Sequence, residues 1–123
     1  MPTSTYATNK LLEITLRATA WTSPTTVYLS LHTTLDNVSG TLGEVSGGSY
    51  SRKSVTFNAA SGGAVTLNSI ADYTSMPAAT VNSVAIWDAV TAGNCLWYGA
   101  LTTARTVLSG DTLRMSTLSV TLT

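Results

Sequence analysis

Thr26-Val27-Tyr28-Leu29-Ser30-Leu31-His32 decides how this chain is read. Val27, Leu29 and Leu31 point one way, while Thr26, Tyr28, Ser30 and His32 point the other. That period of two is what a β-strand imposes on its side chains. A second stretch, Val81-Asn82-Ser83-Val84-Ala85-Ile86-Trp87, is apolar on both faces, as a strand inside a sheet is. Cys95-Leu96-Trp97-Tyr98-Gly99-Ala100-Leu101 reads the same way, and Thr91-Ala92-Gly93-Asn94 between them supplies a turn. The two runs are expected to form a hairpin through the middle of the core.

Working outward, Lys53, Val55 and Phe57 begin another alternating strand. Ser61-Gly62-Gly63 then turns the chain into Val65 and Leu67, its expected hairpin partner. Ile70 to Tyr73 is a short strand, broken by Met76-Pro77. Arg105 to Leu108, the turn Ser109-Gly110-Asp111, and Leu113 with Met115 read as a second hairpin. Leu118, Val120 and Leu122 alternate with Thr and Ser to the end of the sequence, so this last strand is expected to be paired.

Near the N-terminus two periods compete. Leu11, Ile14 and Ala18 lie on one helical stripe, and Glu13 precedes Arg17 by four residues. Leu12, Ile14 and Leu16 also alternate with Glu13, Thr15 and Arg17 as a strand would. Thr8 and Asn9 as N-caps, with alanines at the far end, favour a helix, and Pro24 ends it. The expected fold is all-β: an antiparallel β-sandwich of about eight short strands with one short N-terminal helix. Residues 1–8 are polar and read as an extended N-terminal arm, with residues 9–123 as a single β-sandwich domain.

Composition narrows the function. Of 123 residues, 23 are threonine and 15 serine, and only 10% are charged, against about 25% in ordinary soluble domains. Six basic and six acidic residues cancel. Such a chain lacks the positive field that neutralises phosphates, so nucleic acid is not an expected partner. No segment has the run of apolar residues that spans a bilayer, and no basic start with an apolar stretch marks an export signal. Assembly in a cytoplasm, without membrane attachment, is the expectation.

The residues that carry chemistry elsewhere are sparse here. The one histidine, His32, falls on the polar face of its strand and reads as an exposed or interface residue. No Gly-x-Ser-x-Gly elbow accompanies it for nucleophilic catalysis. One His and one Cys do not make a zinc site, and Asp36, Asn37 and Glu44 match no calcium-loop spacing. Cys95, inside an apolar run, reads as a small buried hydrophobe. No enzymatic activity, cofactor or metal is expected. Contacts with other proteins are expected instead from Tyr6 on the arm, Trp21 before Pro24, Tyr50 after a double glycine, and Asp36, Asn37 and Glu44 in the loop over residues 33–49.

Four stretches in order carry a resemblance. They are Leu11-Leu12 through Trp21-Thr22-Ser23-Pro24; Val27 to Thr33; Gly43-Glu44-Val45-Ser46-Gly47-Gly48-Ser49-Tyr50-Ser51-Arg52 with Val55-Thr56-Phe57; and Ala85-Ile86-Trp87-Asp88-Ala89 through Tyr98-Gly99-Ala100-Leu101 to Gly110-Asp111-Thr112-Leu113. Together they resemble small structural proteins of tailed bacteriophages, often labelled tail fibre proteins and similar to capsid cement (decoration) proteins. The resemblance implies a virion component without catalytic residues, and it tips the N-terminal segment towards helix. The leading expectation is a cement protein on the outer capsid surface, bridging neighbouring capsomers by contacts with the major capsid protein and copies of itself as a homotrimer. The alternative is a tail or tail-fibre component touching the host surface.

Overall fold

The computed structural model describes residues 3–34 and 43–122. Its elements run α1 (Thr5–Leu16), β1 (Val27–His32), β2 (Lys53–Val55), β3 (Ala64–Thr66), β4 (Ala71–Tyr73), β5 (Ala79–Trp87), β6 (Cys95–Val107), β7 (Leu113–Met115) and β8 (Ser119–Thr121). Every strand pairing is antiparallel. The fold is all-β with one short helix.

Four strands form a sheet in the order β2-β1-β5-β6, while β3-β8 and β4-β7 make separate two-stranded ribbons. Leu29 opposes Ile86 and Leu31 opposes Val84, so one face of the sheet is a continuous apolar surface. Ala71, Tyr73, Leu113 and Met115 from one ribbon, and Val120 from the other, close over it in a single buried cluster. Burying each large side chain of that cluster stabilises the fold by about 1.5–3 kcal/mol. The sandwich therefore has one intact sheet, opposed by two ribbons in place of a second sheet.

The hairpin expected at the centre is present as β5-β6, with Ala85 opposite Tyr98 and Ile86 opposite Trp97. Its β6 arm is longer than the sequence implied. Between Ala100 and Arg105 the register shifts, because two steps on β5 correspond to five on β6. The expected second hairpin is corrected. Leu113 and Met115 pair with Tyr73 and Ala71, not with residues 105–108. Burial decides this, because both side chains of β7 are needed in the core beside Tyr73.

The N-terminal segment is also corrected. An arm was expected over residues 1–8, but the helix starts at Thr5 and its cap is Ser4, not Thr8 or Asn9. The Ser4 hydroxyl accepts from Ala7 N–H at 3.1 Å and donates to the Cys95 carbonyl, while Ser4 N–H donates to Leu96 O at 2.9 Å. Ser4 and Ala7 are fully buried. A small hydroxyl residue thus fixes the helix start to the edge of β6. At the other end Ala18 turns left-handed (φ 54°) and Thr19 N–H reaches Glu13 O, a common way to stop a helix. Replacing Ser4 with alanine is expected to cost about 1–2 kcal/mol, from the lost cap and the lost hydrogen bond to the Cys95 carbonyl. A denaturant midpoint unchanged from the parent protein would show that the cap does not hold.

Candidate functional site

Glu44 to Arg52 is polar and glycine-rich, and the structure folds it back onto the end of β1. Strand β2 pairs β1 only as far as Leu29. Beyond that point Val45 N–H donates to Leu31 O at 2.9 Å, Thr33 N–H donates to Gly43 O at 2.8 Å, and Glu44 bridges His32. The double glycine allows this return. Gly48 has φ +54°, and a Cβ there would fall 2.6 Å from Ser75 O and 3.0 Å from Pro77 N.

Tyr50 closes the last gap in the ladder. Its hydroxyl accepts from Leu31 N–H at 3.0 Å and donates to Glu44 Oε2 at 2.8 Å. Its ring stacks on Tyr73 with centroids 5.9 Å apart, and the Tyr73 hydroxyl donates to Leu29 O at 2.6 Å. Burial pushes the pKa of both phenols well above the ordinary tyrosine range, so both stay neutral.

Arg52 ties this loop to the turn between β5 and β6. Its Nη2 donates to Glu44 Oε1 at 2.9 Å and its Nε to Oε2 at 3.0 Å, a two-pronged pair. Nη1 donates to Ala92 O at 2.8 Å and to Ala89 O at 3.2 Å. The guanidinium lies 3.7 Å above the Trp87 ring, within cation–π range. Below it Trp87 Nε1 donates to Ser30 Oγ at 2.8 Å, and that hydroxyl meets His32 Nε2 at 2.7 Å.

These contacts correct one expectation. His32, read as exposed or at an interface, is fully buried, and so are Ser30 and Ser83. The second face of the sheet is covered at Ser30, His32 and Ser83, so the end of β1 from Leu29 to His32 is buried on both sides. Glu44 and Tyr50, read as contact candidates, are half-buried and hydrogen-bonded to Arg52, to Leu31 and to each other.

Burial alone would raise the Glu44 pKa, but the hydrogen bonds from Arg52 and Tyr50 and the Arg52 charge outweigh it and hold it below the ordinary carboxylate value. A depressed folded pKa contributes stability above the unfolded carboxyl pKa, near 4.5, and loses it as pH falls through the folded value. Denaturant midpoints of the parent protein are therefore expected to fall from about pH 5 downward. Those of Glu44→Gln, lower at neutral pH, are expected to fall less steeply. Parallel pH profiles for the two proteins would contradict the assignment.

The remaining candidates separate. Tyr6 sits on the first turn of α1, edge-on to Trp21 with centroids 6.4 Å apart, and the Lys10 ammonium lies 5.7 Å from the Tyr6 ring. The structure thus joins two residues that the sequence reading kept apart. Asp36 and Asn37 lie outside the described residues. Two surfaces went unnoticed in the sequence. One is the outer half of α1, where Leu12, Ile14 and Leu16 are exposed. The other is an apolar groove of about 390 Å³ at the opening of the core, walled by Phe57, Val65, Trp97, Val120 and Leu122.

Among the described residues no group of three His, Cys, Asp or Glu side chains is placed to hold a metal ion, and no helix is long and apolar enough to cross a membrane.

Compared with known proteins, residues 2–123 match the family described as Podophage GP4 fiber I protein gp80. The chain belongs to that family. It is a bacteriophage structural protein and a component of the virion. No curated protein matches the sequence. The family supports the tail-fibre alternative over capsid cement, which draws no support from the match. The stretches that carried the resemblance, Glu44 to Arg52 and Ile86-Trp87-Asp88, meet in the single network of Glu44, Tyr50, Arg52 and Trp87. Those stretches thus hold the fold together.

Proposed function

We propose that this chain is a non-enzymatic building piece of a podophage tail fibre, working through non-covalent contacts with its neighbours in the tail. The family match along residues 2–123 carries this reading. The physics supports it. The chain is rich in hydroxyls and only 10% charged, with charges that cancel, so contacts between subunits depend little on salt. Repetition in an assembly lets individually weak contacts hold at high effective concentration. The only histidine is buried against Ser30, and the Glu44 carboxylate is engaged by Arg52 and Tyr50. These groups serve structure in this reading, with no substrate to turn over.

A phage lacking this protein tests the proposal. Its heads are expected to fill and stay intact while its particles bind host cells poorly or lack fibre density. Heads that burst or leak, with normal tails, would overturn it in favour of a capsid role.

A further inference from the structure

Helix α1 is fixed firmly to the body at its start and only lightly tied to it beyond its end. At the start the Ser4 N–H donates to Leu96 O at 2.9 Å, the Ser4 hydroxyl donates to the Cys95 carbonyl, and Thr3 bridges Trp97. Ser4 and Ala7 are fully buried there, and Ala7 is the one buried residue of the helix. This dock lies at the edge of the four-stranded sheet, because β6 is its outermost strand. From Ala18 to Thr26 the chain then runs back to β1 without a buried residue. Among the described residues, that segment makes one backbone-to-backbone hydrogen bond, Thr19 N–H to Glu13 O at 3.1 Å, and one ring contact, Trp21 against Tyr6. The return depends on Ala18 at φ 54°, a left-handed turn that glycine adopts freely and alanine only at a cost.

We infer that residues 3–16 exchange between two copies of this chain, each helix docking on the β6 edge of the other, with residues 18–26 as the connector. This rests on the reading of the chain as a building piece and deepens it by naming the partner, a second copy. The dock itself specifies its occupant. Its hydrogen bonds recognise this N-terminal segment, and a second copy presents the same segment and the same edge. Exchange therefore keeps every contact of the dock and changes only the connector.

The nine residues of the connector reach up to about 30 Å when extended, about the width of a small domain. Straightening them gives up one hydrogen bond and one ring contact and releases the left-handed alanine in each copy. The closed and exchanged forms are thus close in energy, and protein concentration decides between them. A hinge under strain favours such swapping, and reciprocal exchange closes a two-fold dimer. Where copies stand side by side at high effective concentration, it ties neighbours together without any new interface.

Ala18 tests this in two opposite directions on the full chain. Ala18 N–H donates to no backbone carbonyl of the described residues, so proline there removes no such bond. Proline holds φ near −65° and forbids the closed return, so Ala18→Pro is expected to run mostly as a dimer in size-exclusion chromatography. Ala18→Gly adopts the return without strain, so its dimerisation constant is expected to fall at least about fivefold below the parent's. In a dimer refolded from isotope-labelled and unlabelled parent chains, filtered NMR is expected to show contacts between Ser4 of one copy and Leu96 of the other. The inference is overturned by a parent that stays monomeric at millimolar concentration, by an Ala18→Pro variant that folds as a monomer, or by a dimer whose Ser4–Leu96 contacts all lie within one copy. The glycine variant and the mixed-label spectrum decide the matter even where the proline variant does not fold. All of these proteins are purified without phage, so the result is independent of where the protein sits in the virion.

Discussion

Arg52→Ala is expected to lower the unfolding free energy by about 3–5 kcal/mol, the usual cost of removing one member of a buried ion pair. The Arg52 side chain is 8% exposed and that of Glu44 23%. Removing the guanidinium leaves a half-buried carboxylate with the Tyr50 hydroxyl but without its two-pronged partner, takes the donor from the carbonyls of Ala89 and Ala92, and uncovers the Trp87 ring. With domain stabilities of about 5–15 kcal/mol, this is a large fraction of the total. Arg52→Lys is expected to recover only part of it, since an ammonium cannot fork onto both carboxylate oxygens while bonding two carbonyls. Urea midpoints measure both variants. A loss below about 1 kcal/mol for Arg52→Ala would show the network to be a surface ornament.

Trp87→Ala is expected to cost about the same, roughly 3–5 kcal/mol. The indole is 2% exposed and packs with Ala85 and Cys95 on the face of the sheet opposite the main core. Its loss opens a cavity there and takes the N–H donor from Ser30. Trp87→Phe separates the two effects: it keeps most of the packing and removes the donor, so about 1–3 kcal/mol is expected. Arg52 and Trp87 are in contact, so the two alanine changes should not add. The double variant is expected to be about 1–2 kcal/mol less destabilised than their sum. Strict additivity would mean that the stacked guanidinium contributes nothing through the ring.

Much of this fold was legible because two-residue periodicity survives wherever a strand has one apolar face. Val27, Leu29 and Leu31 announced β1, and the two apolar runs around Thr91 to Asn94 announced the central hairpin. Pairing partners were harder. Leu113 and Met115 follow residues 105–108 closely in sequence, yet pair with β4, because core burial outweighs a nearby turn. The start of the helix was missed because Ser4 looks like any other residue in Met1-Pro2-Thr3-Ser4-Thr5, and only its docking against Cys95 and Leu96 makes it a cap.

The candidate site was legible in its residues but not in their roles. Glu44 and Tyr50 drew notice as polar and aromatic loop residues, which is also how contact residues look. What the sequence could not convey is that β2 begins only at Lys53, the partner of Leu29, leaving Leu31 N–H for Tyr50 to satisfy. His32 was misjudged for a similar reason. Its strand alternates in polarity, but Ser30, His32 and Ser83 form a polar layer under cover and not a wet face.

The central claim is that this protein works as a piece of the tail. Gold-labelled antibody against it, imaged on intact purified phage by electron microscopy, tests that most directly. Particles are predicted to carry label on the tail or its fibres, with bare capsids. Label spread over the capsid surface, or particles that carry none, would contradict it.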